Sequence, residues 1–162
     1  MIIYANLGSE KLRIGDGVFN ISCNVRSISN GRRQSYEVIK TTSSNPEYNN
    51  HPYDPAPFPK GKWKITGLLW QADKKFDFNT YGPVKILTDA TQLVRVWELD
   101  EFGDYLRETN KMVSDSCYWI HYSHSTTTLG CIRTASEKDI FIIARIIQEV
   151  FAEGEEVWIE VG

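Results

Sequence analysis

Cysteine is scarce in this chain. Its 162 residues contain three, Cys23, Cys117 and Cys131, so at least one thiol stays unpaired within a single molecule. A scaffold stapled by disulfides is disfavoured on that count. An excess of positive charge is also missing: 18 Lys and Arg stand against 21 Asp and Glu, a net charge of -3. That balance offers no broad cationic surface for phosphate backbones, and nucleic acid is not an expected partner. Long hydrophobic runs are absent as well, since the longest, "IFIIARII", is interrupted by Arg145. A membrane helix needs about 20 apolar residues, so no membrane span is expected. The start "MIIYANLGSEKLRIG" lacks a basic segment, a long apolar stretch and a small-residue cleavage site. With no secretory signal in view, the expectation is a protein that works in the cytoplasm, leaves by a route needing no such signal, or is a mature form.

Apolar and aromatic residues are plentiful. At 41% apolar and 12% aromatic, the composition is that of a folded protein, and the length suits one domain over residues 1–162. In "VFNISCNVR", Phe19, Ile21, Cys23 and Val25 alternate with Asn20, Ser22, Asn24 and Arg26, the pattern of a half-buried strand with Cys23 as a buried structural thiol. "SISNGRRQSYEVIKTT" reads as a hairpin turning at Asn30-Gly31. The following "SSNPEYNNHPYDPAPFPKG" is rich in Ser, Asn and Pro and reads as a surface loop, a candidate lid over residues 44 to 60 that carries an exposed His51. "KWKITGLLWQ", "PVKILT", "QLVRVWEL", "YLRE", "SCYWIH" and "EVWIEV" all have strand character, with "DEFGD" a turn between the third and fourth. Trp63, Trp70, Trp97 and Trp119 are expected mainly in the core, with one or two lining a cleft.

One helix is predicted. Thr134 and Glu137 have capping-box spacing, and Ile140, Ile143, Ala144, Ile147, Val150 and Phe151 recur at helical intervals before Gly154 stops the run. The expected fold is mainly β, a sandwich or distorted barrel, with one amphipathic helix following the cysteine loop.

The chemistry concentrates in "WIHYSHSTTTLGCIR", residues 119 to 133. A thiol becomes a strong nucleophile when a base removes its proton, and the oxyanion it creates needs nearby donors. His121 lies ten residues before Cys131. If the chain turns back through the polar loop, imidazole and sulfur face each other across adjacent elements. Gly130 lets the backbone approach a substrate carbonyl, and the N–H groups of Gly130 and Cys131 are candidate oxyanion donors. Arg133 falls on the same side as Cys131 in an extended chain and can hold a carboxylate.

Ile120-His121 followed by Thr128-Leu129-Gly130-Cys131-Ile132-Arg133 resembles the active-site signature of the L,D-transpeptidase (YkuD-type) catalytic domain. The upstream "PKGKWKI" is similar to the Pro-x-Gly-aromatic-x-Ile strand of those domains. The resemblance implies a β-rich fold, no cofactor, and peptidoglycan stem peptides as substrate. It makes Cys131 the nucleophile that forms a thioester, His121 the general base, Gly130 part of the oxyanion loop and Arg133 an anchor. Thr128 and Trp119 would border the substrate, with His124 and Ser123 as auxiliary residues. Leu129 stands where the commoner form has His, and the His-to-Cys gap is short, which is similar to the compact phage- and secretion-associated branches. Such a protein would act on the cell wall after delivery without a signal sequence.

Two other readings stand beside this one. The same fold could bind peptidoglycan or a protein without turnover. Alternatively, Cys117, His121, His124 and Cys131 are ligand types of a structural zinc. Against zinc, residues four apart on a strand are about 13 Å apart, too far to share one ion.

Overall fold

The computed structural model describes residues 1–24, 56–99, 105–125, 128 and 130–162. The hairpin expected at Asn30-Gly31, His51, most of the expected lid, the "DEFGD" turn, the Trp97 side chain and Leu129 lie outside them.

The chain is mainly β. Among the described residues the strands are β1 (Ile2–Asn6), β2 (Lys11–Ile14), β3 (Gly17–Ser22), β4 (Gly61–Trp70), β5 (Val84–Thr88), β6 (Gln92–Leu99), β7 (Tyr105–Asp115), β8 (Ile120–His121), β9 (Ile132–Thr134) and β10 (Trp158–Val161). Eight of them close into a barrel in the order β1-β10-β4-β5-β8-β9-β3-β2, while β6 and β7 form a separate two-stranded sheet. Of the two expected architectures, the barrel is the one observed. Alternation does the sorting: in β1 and β2 every second residue is buried, so Ile3, Ala5, Leu12 and Ile14 enter the core. Ile21, Ile65, Ile86, Ile120, Ile132 and Ile159 join them from the other strands.

Among the described residues two helices accompany the strands. The expected one, α2 (Glu137–Ala152), buries Ile140, Ile143, Ala144 and Ile147. Its cap is Ser136, whose side chain accepts the Asp139 N–H at 3.1 Å, and not Thr134. Thr134 is already committed to β9, where it pairs with Ile21. The second helix, α1 (Phe78–Tyr81), is a single turn that the sequence reading left out. Asp77 caps it by accepting the Asn79 N–H, a local polar signal with too few residues after it to show a helical period. No helix among the described residues is long and apolar enough to cross a membrane.

Three further expectations change. The end of the supposed surface loop is core: Phe58 is 1% exposed and its ring meets Tyr118 edge-on at 5.8 Å. Only Ile120 and His121 of "SCYWIH" form a strand, because Cys117 adopts a positive φ of 66° that breaks the extended run. Finally, β8 and β9 pair in parallel, Ile120 with Ile132 and His121 with Arg133. The link between them therefore crosses over instead of simply turning back.

Candidate active site

The parallel pairing of β8 and β9 arranges the chemistry. Ile120 and Ile132 are both fully buried and face the core, so their neighbours on the two strands face the other way. His121 and Arg133 are paired on that opposite face, and Cys131, one residue before β9, takes the diagonal position. Diagonal neighbours on a sheet face have Cα atoms about 7–8 Å apart, within reach of side chains that lean together. The Cys131 thiol is partly exposed. Its sulfur accepts the Trp119 N–H at 3.4 Å and lies 3.5 Å from the Cys117 carbonyl, to which it can donate.

His121 is 4% exposed. Its Nδ1 lies 2.9 Å from the Tyr122 carbonyl, which can only accept, so Nδ1 carries the hydrogen and Nε2 keeps its lone pair. Burial drives the imidazole pKa down to about 4, helped by the Lys85 and Arg133 cations and opposed by the bond to Tyr122. At neutral pH the ring is therefore an uncharged base. Tyr81 meets it edge-on at 5.2 Å.

Gly130 is wedged into place at φ +106°. A Cβ there would come within 2.3 Å of the Ala56 carbonyl oxygen and 2.8 Å of the Tyr118 ring, so only glycine fits. Cys23 supports the same loop from below, with its sulfur 3.4 Å from the Gly130 carbonyl and 3.2 Å from the Phe58 N–H. It is partly rather than fully buried, and the structural role expected of it becomes a specific contact. Tyr118 is fully buried; its hydroxyl donates to the Asp115 carboxylate and accepts from Gln92 Nε2 at 2.9 Å. Burial, followed by the Asp115 carboxylate, raises its pKa well above the ordinary phenol value.

The remaining predicted residues occupy distinct positions. Thr128 is buried, with Oγ1 within 2.9 Å of the Asn24 carbonyl and 2.7 Å of the Cys131 carbonyl, so it braces the loop. Arg133 donates from Nε to the Ser123 carbonyl at 2.8 Å and lies 5.1 Å from the Tyr122 ring centre. Ser123 is buried and its hydroxyl accepts the Ser125 N–H. His124 is exposed and packs against Phe78 and Tyr122. Cys117, His121, His124 and Cys131 do not gather as a metal site, and no group of three such side chains does so among the described residues.

Sequence reasoning missed Lys85. It lies on β5, whose Ile86 pairs with Ile120 of β8, so Lys85 shares the His121 face. Its ammonium stands 3.8 Å from the Tyr81 ring centre, 4.4 Å from that of Phe76 and 4.7 Å from that of Trp119. Burial lowers its pKa, while Cys131 pulls it back up. The available signal was a lysine inside the otherwise apolar "PVKILT".

No family model matches the chain, and no curated protein does. Among solved structures, Bd1075 of Bdellovibrio bacteriovorus is similar at a TM-score of 0.40 and 14% identity, over 99% of this chain and 47% of that one. The chain thus spans about half of that protein's length, and a likeness this distant carries no functional argument.

Proposed function

We propose that this protein is a cysteine-dependent acyl-transfer enzyme of the L,D-transpeptidase-like class, acting on peptidoglycan stem peptides as a transpeptidase or carboxypeptidase. The observation that carries the reading is the shared sheet face of Cys131 and a neutral His121 whose Nε2 is the unprotonated nitrogen. Nε2 takes the thiol proton as the sulfur bonds to the scissile carbonyl carbon. The N–H groups of Gly130 and Cys131 donate to the oxyanion. Collapse breaks the carbon–nitrogen bond, and the imidazolium returns its proton to the departing amine. The resulting thioester is resolved by water or by an acceptor amine, and the substrate places this chemistry at the cell wall.

The deep burial of His121 favours a second reading, a module on the same fold that holds stem peptides without turnover. Intact-mass spectrometry separates the two. Incubation with a stem tetrapeptide or a carbapenem is expected to leave one adduct on the wild type and none on Cys131→Ala. His121→Ala should acylate about 10²–10⁴ times more slowly. If the wild type retains stem peptides on a column yet forms no adduct, or if the adduct persists in Cys131→Ala, the enzyme reading fails.

A further inference from the structure

We infer that Lys85 is an anion-recognition element of this candidate site, receiving the terminal carboxylate of the peptide whose amide Cys131 attacks. The inference rests on the acyl-transfer reading for the identity of the ligand, but the site stands on its own geometry. Lys85 is 9% exposed, and three aromatic rings, Phe76, Tyr81 and Trp119, wall its ammonium. Among the described residues it has no carboxylate partner, whereas the half-exposed Lys64 is paired with Glu156. A cation so buried normally needs a counter-charge. Rings supply only part of one, through their negative faces.

The position fits a carboxylate. β5 and β9 flank β8 on either side, with Lys85 and Arg133 in register across His121, so Cys131, two residues before Arg133, has its backbone roughly 12 Å from that of Lys85 by strand spacing and rise. The Lys85 side chain spans part of that gap toward Trp119, and the Trp119 N–H is itself bonded to the Cys131 sulfur. In a peptide cleaved before its last residue, the terminal carboxylate carbon lies about one residue, ~3.8 Å, beyond the scissile carbonyl. A nucleophile, a base and a cation on one sheet face thus match a carbonyl, a leaving amine and the carboxylate attached to it.

The test compares alkylation of Cys131 by iodoacetate and by iodoacetamide, quantified by peptide mapping. In both reactions the sulfur bonds to the methylene carbon and iodide leaves, so the reagents differ chiefly in charge. Relative to a free cysteine peptide, the wild type should favour iodoacetate by about tenfold or more, a local enrichment typical of a focused field. The preference should vanish in Lys85→Met and persist in Lys85→Arg. A wild type without the preference overturns the inference whatever the variants do, as does a preference unchanged in Lys85→Met or a Cys131 that neither reagent reaches. Charge preference with no thioester from stem peptides would keep the anion site and remove the acyl-transfer reading. A thioester at Cys131 without charge preference would do the reverse.

Discussion

At the scale of single residues, His121 ties function to stability. Its imidazole would titrate near 6.5 in an unfolded chain but is held to about 4 in the fold by burial. Between those values the unfolded state binds the extra proton, so stability falls as pH drops from 6.5 to 4 and the full contribution is present above 6.5. The gap corresponds to about 3 kcal/mol. Urea unfolding of the wild type should lose about that much more between pH 7 and pH 4 than His121→Gln does, and equal losses in the two proteins would refute the buried neutral ring. The acid limb of acylation should likewise lie near pH 4 rather than 6.5. That His121 and Cys131 come together across adjacent elements was legible from the motif around residue 131. The ring's protonation state was not, because the carbonyl of Tyr122 and the cations of Lys85 and Arg133 reach it only through the fold.

At the scale of elements, α2 shows how far pattern carries and where it stops. The recurrence of Ile140, Ile143, Ala144 and Ile147 marked the buried stripe, since 3.6-residue periodicity and burial are one geometric fact. The start was ambiguous because Thr134 to Glu137 and Ser136 to Asp139 have the same spacing. The pairing of β9 with β3 decided it, by keeping Thr134 extended; its hydroxyl donates to the Ser136 carbonyl at 2.9 Å. Ser136→Ala should therefore cost about 1 kcal/mol, or roughly 2–4 °C in Tm for a chain of this size. Heating the variant and the wild type side by side checks this. An unchanged Tm would mean that another group caps the helix. The short α1 was illegible for a different reason: one turn has no period, and it persists because Asp77 caps it and Tyr81 packs on His121 and Trp119.

At the scale of the molecule, the strands could be read from alternation but their neighbours could not. Barrel order depends on contacts between residues far apart in sequence: β1 pairs in parallel with β10, and β10 pairs with β4. No local pattern encodes that seam. The parallel join of β8 to β9 is equally non-local in character, since such pairs usually need a crossover of a dozen or more residues. Here residues 122–131 accomplish it in ten and carry the cysteine back to the histidine's side of the sheet. Hydrogen exchange tests whether the candidate site depends on barrel closure. The Trp158 N–H is bonded to the Met1 carbonyl at 2.9 Å across the seam, and the Ile132 N–H to the Trp119 carbonyl at 3.0 Å beside the site. If closure and site form one cooperative unit, both amides exchange only through global unfolding, with protection equal to the urea-derived stability, about 5–15 kcal/mol for ordinary domains. Seam amides that exchange with several kcal/mol less protection while the Ile132 amide stays fully protected would show that the barrel opens without disturbing the site. The geometry around Cys131 would then be a property of β5, β8 and β9 alone.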